Sequence, residues 1–205
     1  LGGGGNIVLK NNVVYTNNNF LYAIDATTGV EKWQYYTRTF VQPVVCDDRV
    51  YVASSLLSFS LDVLSTSTGA LLWSKSNYDV FYNLNGMNLK NGKLYCVVTA
   101  SASSNTSGTN GLNVLDSATG NVLFPTANFN VLSSFSDNVT PLFADSLAFV
   151  PAEFVISVFS AMNGQFIYTI PSSTSTCGIT IANNIVYFTT RNTYLQSPGT
   201  GYYAG

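Results

Sequence analysis

The segment Leu21–Trp33 reads LYAIDATTGVEKW, and its pattern returns three more times along the chain without a gap. The other copies are LDVLSTSTGALLW at 61–73, LNVLDSATGNVLF at 112–124 and ISVFSAMNGQFIY at 156–168. Each copy starts with alternating apolar residues, reaches a glycine eight positions later and carries an aromatic residue four positions after that glycine. Alternation predicts a β-strand, and a glycine supplies the positive φ that a tight turn needs. Each copy is therefore predicted to be a strand, a turn and a return strand.

The turn glycines and the aromatic residues after them form two matched sets. The glycines are Gly29, Gly69, Gly120 and Gly164, and the aromatic residues are Trp33, Trp73, Phe124 and Tyr168. A large flat ring at a fixed offset can pack against a neighbouring unit. We expect these aromatic residues to dock one unit onto the next.

A second motif precedes each copy and appears five times. It consists of an apolar residue, a short polar turn and a strand ending on an aromatic residue, at Leu9–Tyr15, Val45–Tyr51, Leu89–Tyr95, Phe143–Phe149 and Ile181–Tyr187. The turn dipeptides Asn-Asn, Asp-Asp, Asn-Gly and Asp-Ser suit the left-handed conformations of tight hairpin turns. Each segment is predicted to be a β-hairpin.

Together the two motifs supply four antiparallel strands in every repeat of 36 to 54 residues. Four short strands at this period are the sequence signature of a β-propeller blade. We predict an all-β propeller of about five four-stranded antiparallel blades, at residues 6–37, 43–77, 87–128, 139–171 and 178–205, after a flexible Gly-rich lead at residues 1–5.

The fifth blade is predicted to be incomplete or degenerate. Only Thr193–Ser197 and Gly201–Gly205 remain for its third and fourth strands. Two interpretations stay open, a five-bladed ring with a degenerate last blade and a fragment of a larger ring. An arc with exposed edges could also be completed by another chain.

The pattern of Val14–Trp33 resembles the pyrroloquinoline-quinone-like (PQQ-like) repeat, and the resemblance covers about residues 6 to 190. It implies that the closing Trp, or the residue in its place, docks between adjacent blades. The family typically builds rings of six to eight blades. Its members include quinoprotein dehydrogenases, a scaffold of outer-membrane protein assembly, and extracellular or sensory propellers without catalysis.

Composition narrows the classes of function. The 205 residues include 9% charged residues, no histidine and a net charge of -2. So weak a charge provides no field for nucleic acid or acidic membranes, and no apolar run is long enough to span a bilayer. The lack of histidine excludes a Ser-His-Asp triad.

Carboxylates and cysteines also argue against a catalytic centre. A quinoprotein site needs oxygen ligands for Ca²⁺ and an Asp base, yet Asp25 and Asp116 occupy one repeated slot and other Asp residues occupy hairpin turns. Cys46, Cys96 and Cys177 form no CxxC pattern and no adjacent pair. They fit either three buried thiols or one disulfide with a free thiol. We therefore predict no catalytic, cofactor-binding or metal-binding residues and no cofactor.

These observations favour a noncatalytic, secreted or cell-surface module that binds a protein or a glycan through loops on one rim. Aromatic residues beside the repeats are the candidate partner contacts, with packing between blades as the alternative role: Tyr35, Tyr36, Phe40, Tyr78, Phe81 and Tyr82. Asn105 and Asn138 fit the N-glycosylation pattern. The alternatives are self-assembly into an oligomer or fibre, a scaffold for membrane-protein or cell-surface assembly, and a PQQ-dependent dehydrogenase.

Overall fold

A computed structural model describes residues 6–17, 19–38, 41–54, 60–76, 83–99, 111–128, 139–151, 155–171, 175–183 and 185–191. These residues form 18 β-strands and no helix. The first two blades contain β1 (Ile7–Lys10), β2 (Val13–Asn17), β3 (Phe20–Asp25), β4 (Glu31–Tyr36), β5 (Val44–Val45), β6 (Arg49–Ser54), β7 (Ser60–Ser65) and β8 (Leu71–Ser76). The next two contain β9 (Asn83–Lys90), β10 (Lys93–Thr99), β11 (Gly111–Asp116), β12 (Val122–Asn128), β13 (Leu142–Ala144), β14 (Leu147–Pro151), β15 (Val155–Ser160) and β16 (Phe166–Pro171). The fifth begins with β17 (Ser175–Ala182) and β18 (Ile185–Arg191).

The strands pair in chain order into four four-stranded antiparallel sheets, followed by the two-stranded sheet β17–β18. This arrangement confirms the predicted all-β fold with one sheet per repeat. Two blades begin earlier than predicted, because β9 starts at Asn83 and β17 at Ser175. The lead at 1–5 and the segment predicted to finish the fifth blade lie outside the described residues.

The four repeated glycines share one conformation. Gly29, Gly69 and Gly120 have φ of 71°, and Gly164 has φ of 70°. Each amide donates to the carbonyl oxygen four residues earlier, as in the 2.9 Å bond from Gly69 to Ser65. The left-handed turn joins the third and fourth strands of each blade, which is the role expected of glycine at this position.

The hairpin turns are left-handed in four repeats but not in the second. Positive φ occurs at Asn11 (49°), Asn12 (59°), Asn91 (50°), Gly92 (71°), Asp145 (46°) and Asn183 (50°). The expectation of such a turn at Asp47-Asp48 is wrong, because neither residue has a positive φ. There β5 ends at Val45, and the turn closes with a 2.9 Å bond from the Cys46 amide to the Arg49 carbonyl.

Adjacent sheets pack face to face and share their apolar cores. One core joins Tyr15 and Trp33 of the first blade to Val50 and Leu64 of the second. Three further cores join the second blade to the third, the third to the fourth and the fourth to β17–β18. We call the side of a blade that contacts the following blade its front face, and the opposite side its back face.

Candidate functional site

The contact between blades is built from a ring and a glycine. A methyl group placed on Gly69 would lie 2.8 Å from the Trp33 ring, so only glycine lets the ring of the first blade lie flat on the turn of the second. The Trp33 Nε1 also donates to the Thr66 carbonyl in that turn at 2.9 Å. Ring and hydrogen bond together fix the position of one blade on the next.

The contact recurs at the second interface and, in a looser form, at the third. Trp73 lies 2.8 Å from a methyl group placed on Gly120, and Phe124 lies 3.6 Å from one placed on Gly164. Tyr168, the fourth member of the set, is exposed. The part of the fifth blade that would follow it lies outside the described residues.

One turn carbonyl at each interface accepts a hydrogen bond from the preceding blade. Thr66, Ser117 and Ala161 occupy the same position of the repeat. Trp33 donates to the first, the Tyr51 hydroxyl to the second at 2.9 Å, and the Tyr95 hydroxyl to the third. The Trp73 Nε1 is buried and has no hydrogen-bond partner among the described residues, since Tyr51 binds the carbonyl at that interface.

Because the strands are antiparallel, the connections between them lie at two opposite ends of the sheets. Hairpin turns and glycine turns share one end of the sheets, which we call the lower rim. They are bonded there to each other, as in the 2.9 Å contact from the Ala26 amide to the Asn12 carbonyl. Every other connection leaves from the opposite end, the upper rim. Those connections vary in length, from two residues between Asn17 and Phe20 to 13 residues between Asn128 and Leu142.

A buried polar cluster, which we call the rim cluster, lies at the upper rim between the first two blades. Its centre is Asp62, of which 5% is exposed. The Asp62 carboxylate accepts hydrogen bonds from the Tyr35 hydroxyl at 3.1 Å, the Ser60 hydroxyl at 3.0 Å and the Ser74 hydroxyl at 2.6 Å. Close by, Thr37 donates to the Ala53 carbonyl at 2.9 Å. These bonds tie the ends of β4, β6, β7 and β8 together.

The electrostatics of the cluster keep the Tyr35 hydroxyl protonated. Burial, the charge of Asp62 and the hydrogen bond to it raise the pKa of Tyr35 to about 12. Tyr35 therefore stays neutral and donates its proton to the carboxylate at neutral pH. The carboxylate accepts hydrogen bonds from three hydroxyl groups, one of them on the first blade, so the cluster links the first two blades.

The predicted contact aromatics separate into different environments. Tyr35 is half-buried on the front face and belongs to the rim cluster, which is the packing role weighed as the alternative. Tyr36 is exposed on the back face of the first blade, where its ring lies 4.9 Å from the Phe20 ring. Four of the predicted contacts lie outside the described residues: Phe40, Tyr78, Phe81 and Tyr82. The same holds for the glycosylation candidates Asn105 and Asn138.

Asp62 was the residue that sequence reasoning missed, since it was treated as an isolated carboxylate. A signal existed in the second position of the repeat, where Tyr22, Asp62, Asn113 and Ser157 are all polar inside an apolar strand. The last three are buried. The recurrence of a polar residue at one position of an apolar strand was therefore a signal of buried polar side chains.

The described residues do not fit a quinone with its cation. Asp62 is the one buried carboxylate among them, and its oxygens are bonded to neighbouring hydroxyls. Nowhere in the described ranges do three His, Cys, Asp or Glu side chains meet as ligands. Asp25 and Asp116 instead bind the amides of their own turns, and hydrogen bonds from Thr28 and Thr119 hold the pKa of each below its usual value.

Two of the three cysteines have a described environment. Cys46 and Cys96 carry free thiols, and burial raises the pKa of Cys96 well above its ordinary value. A buried neutral thiol behaves as a small apolar side chain. The side chain of Cys177 lies outside the described part of the chain.

A family model described as outer membrane protein assembly factor BamB, of the PQQ_2 type, matches residues 3–194. The chain belongs to this family. The match confirms the PQQ-like resemblance of the repeats. A search of curated proteins finds no match, and the described residues include no helix able to cross a membrane.

Solved structures share the fold at low sequence identity. BamB from Moraxella catarrhalis is 16% identical with a TM-score of 0.56, over 90% of this chain and 66% of that one. The computationally designed Ika8 protein is 15% identical with a TM-score of 0.67, over 90% and 54%. A europium-containing methanol dehydrogenase is 13% identical with a TM-score of 0.64, over 80% and 41%. The chain thus spans between two fifths and two thirds of the length of these three structures.

Proposed function

We propose that this PQQ_2-family chain is a noncatalytic protein-binding module that works outside the cytoplasm and holds its partner at the upper rim. Membership of a family described by a protein assembly factor supports the choice of a protein as partner. The rim cluster carries the proposal furthest, because its buried carboxylate accepts three hydrogen bonds and links the first two blades.

The two rims differ in a way that favours the upper one for binding. Lower-rim turns are short and bonded in pairs. Upper-rim connections differ in length from blade to blade. Loops of variable length on a rigid base are the usual carriers of specific contacts. The rim cluster gives the first two blades such a base.

The environment proposed for the protein follows from its polarity. Only 9% of its residues are charged, and its polar side chains are mostly uncharged. The description of its family names the outer membrane. Both observations support a cell-surface or secreted location, with assembly of surface proteins as the most specific form of the proposal.

Site-specific photo-crosslinking in cells that make the protein tests the partner surface. A photoreactive residue replaces Tyr36, which ends β4 at the upper rim, and Asn91 on the lower rim provides the control position. We expect an adduct of one defined mass with another protein from Tyr36 and none from Asn91. Equal adducts from both positions, no adduct from Tyr36, or an adduct of two copies of this chain alone contradict the proposal.

A separate assay addresses catalysis. The purified chain is incubated with pyrroloquinoline quinone, Ca²⁺, a redox dye and simple alcohols or sugars. We expect no dye reduction above the rate without protein. Chelator-sensitive reduction would establish a dehydrogenase and overturn the noncatalytic proposal.

A further inference from the structure

Asn-Gly dipeptides are prone to deamidation, the loss of ammonia from the asparagine side chain, because glycine has no side chain to shield its amide nitrogen. The chain has four of them, at 85–86, 91–92, 110–111 and 163–164. Three lie wholly within the described residues, and Asn110 lies outside them. The fold places these three pairs in different environments, and the environment decides which of them can react.

The Asn91-Gly92 pair forms the turn of the third hairpin, on the lower rim. Both residues are exposed, and their φ angles are 50° and 71°. Lys90 pairs with Lys93 across the turn, so the two residues between them take no part in the ladder. In the part of the chain that the structure describes, neither the Asn91 side chain nor the Gly92 amide has a hydrogen-bond partner. A Cβ placed on Gly92 would meet no atom within 4 Å, so water reaches both reacting groups.

The Asn163-Gly164 pair has the same sequence and is held in place. The Gly164 amide donates to the Ser160 carbonyl at 2.8 Å, and Gly164 is buried. The Asn163 side chain accepts a hydrogen bond from the Gln165 amide and donates one to the Gln165 Oε1, both at 3.2 Å. The attacking nitrogen and the side chain that it would attack are therefore both engaged.

The Asn85-Gly86 pair lies inside β9 and is enclosed by the segment that enters the fourth blade. Gly86 is buried and pairs with Val97. A Cβ placed on Gly86 would lie 1.8 Å from the Val139 carbonyl oxygen, and the Val139 amide donates to the Asn85 carbonyl at 3.0 Å. Attack on the side chain would rotate this peptide, which the pairing and the enclosing segment prevent.

We propose that Asn91 is a site of spontaneous deamidation, selected by the fold from the three described Asn-Gly pairs. The Gly92 nitrogen forms a bond to Asn91 Cγ, and its proton passes through water to the side-chain nitrogen, which leaves as ammonia. Water then adds to either carbonyl of the cyclic imide and gives aspartate or isoaspartate at position 91. The proposal goes beyond the upper-rim function, since the site lies on the opposite rim and needs no partner.

The modification changes contacts that the turn makes with its neighbours. Either product places a negative charge between Lys90 and Lys93 in the sequence, and both lysines donate to carbonyl oxygens of the fourth blade, Lys93 to Met162 at 2.9 Å. Isoaspartate also lengthens the backbone of the turn by a methylene group. Because the Gly92 carbonyl accepts the Ser117 amide at 2.9 Å, the longer turn disturbs the bond that joins the hairpin to its glycine turn. We expect the modified chain to be less stable.

Incubation of the purified chain in mildly alkaline buffer, followed by chymotryptic digestion and mass spectrometry, measures deamidation at each asparagine separately. We expect conversion of Asn91 to be roughly tenfold faster or more than that of Asn85 or Asn163, because the protected pairs react only through local opening. The same incubation in concentrated urea should bring the three rates together, since each asparagine is followed by glycine and only the fold separates them.

Two variants complete the test. Asn91→Gly removes the reacting amide and suits the left-handed turn, whereas Asn163→Gln is the matched control and should leave the reaction at Asn91 unchanged. We expect the urea midpoints of the native chain and of Asn163→Gln to fall during incubation and that of Asn91→Gly to stay constant. Conversion of Asn91 in the native chain no faster than that of Asn85 and Asn163 overturns the proposal. So does a difference in rates that persists in urea, since it would come from neighbouring residues and not from the fold.

Discussion

Replacement of Gly69 by alanine isolates the contribution of ring-on-glycine docking to stability. Gly29 and Gly92 are matched controls, since all three glycines have φ of 71°. Only Gly69 lies beneath a ring, with a methyl group there 2.8 Å from Trp33, while the controls have no atom within 4 Å of that position. The backbone cost is thus shared and the steric cost is not.

The magnitudes follow from these two differences. An alanine held in the left-handed region costs roughly 1–2 kcal/mol, which is the whole effect expected for Gly29→Ala and Gly92→Ala. Forcing an extra methyl into a packed contact costs about 1–3 kcal/mol more. Gly69→Ala should therefore lower the free energy of unfolding by about 2–5 kcal/mol.

Urea unfolding followed by tryptophan fluorescence measures the effect in dilute solution, where association between copies does not contribute. Trp33 and Trp73 are the two tryptophans of the chain, and both lie at blade contacts. A double-mutant cycle with Trp33→Ala completes the design. Once the ring is gone, Gly69→Ala should cost no more than Gly29→Ala.

Equal losses of stability for Gly69→Ala and its two controls would refute the reasoning. The same holds if the cost of Gly69→Ala persists in the Trp33→Ala background. Either result would mean that the glycine serves only its own turn and that docking stabilises the blades by other contacts.

Three further results are expected. Trp33→Phe should lower unfolding free energy by about 1–3 kcal/mol more than Trp73→Phe in a urea titration, because only Trp33 loses a hydrogen bond; equal losses would argue against that bond. Tyr35→Phe should flatten the decline of stability above pH 10. The pKa of Tyr35 is raised to about 12 in the folded protein, so its contribution to stability is complete below the unfolded value of 10.0 and is lost as the pH rises toward 12. An unchanged alkaline profile of stability would contradict this. Asp116→Asn should reduce the loss of thermal stability that the protein shows below pH 3.8. The pKa of Asp116 is lowered in the folded protein, so the ionised carboxylate stabilises the fold above pH 3.8 and this contribution is lost as the pH falls. If the melting temperatures of the variant and the native protein fall in parallel below pH 3.8, the prediction is wrong.

The strand pattern was predictable because it depends on local chemistry that recurs. Glycine at a fixed offset and Asn or Asp in hairpin turns report backbone conformations directly. The second hairpin departed from the pattern for a reason absent from the dipeptide itself. Asp47-Asp48 fits a tight turn, but β5 ends at Val45, and Cys46 lies between the strand and the turn. Turn type depends on where pairing stops, and pairing depends on the whole sheet.

The rim cluster could not be assembled from sequence because its members come from separate strands of two blades. Tyr35 lies on β4 and Asp62 on β7, and only the packing of one sheet on the other brings them within 3.1 Å. The division of Tyr35 and Tyr36 between opposite faces was implicit in strand alternation. It became informative once the structure showed which face is covered.

Each blade contact has one turn carbonyl that accepts a hydrogen bond, and this explains why the docking aromatic residue differs from contact to contact. The Ser117 and Ala161 carbonyls are bound by tyrosines, so the ring beside each needs only its flat face. Phe124, whose side chain has no polar atom, occupies that place at the third contact, while Trp73 at the second has an N–H without an acceptor in the part of the chain that the structure describes. Tryptophan is required by bonding only where it holds the carbonyl itself, as Trp33 does. The type of aromatic residue that each blade contact tolerates therefore depends on which side chain donates to the turn carbonyl there.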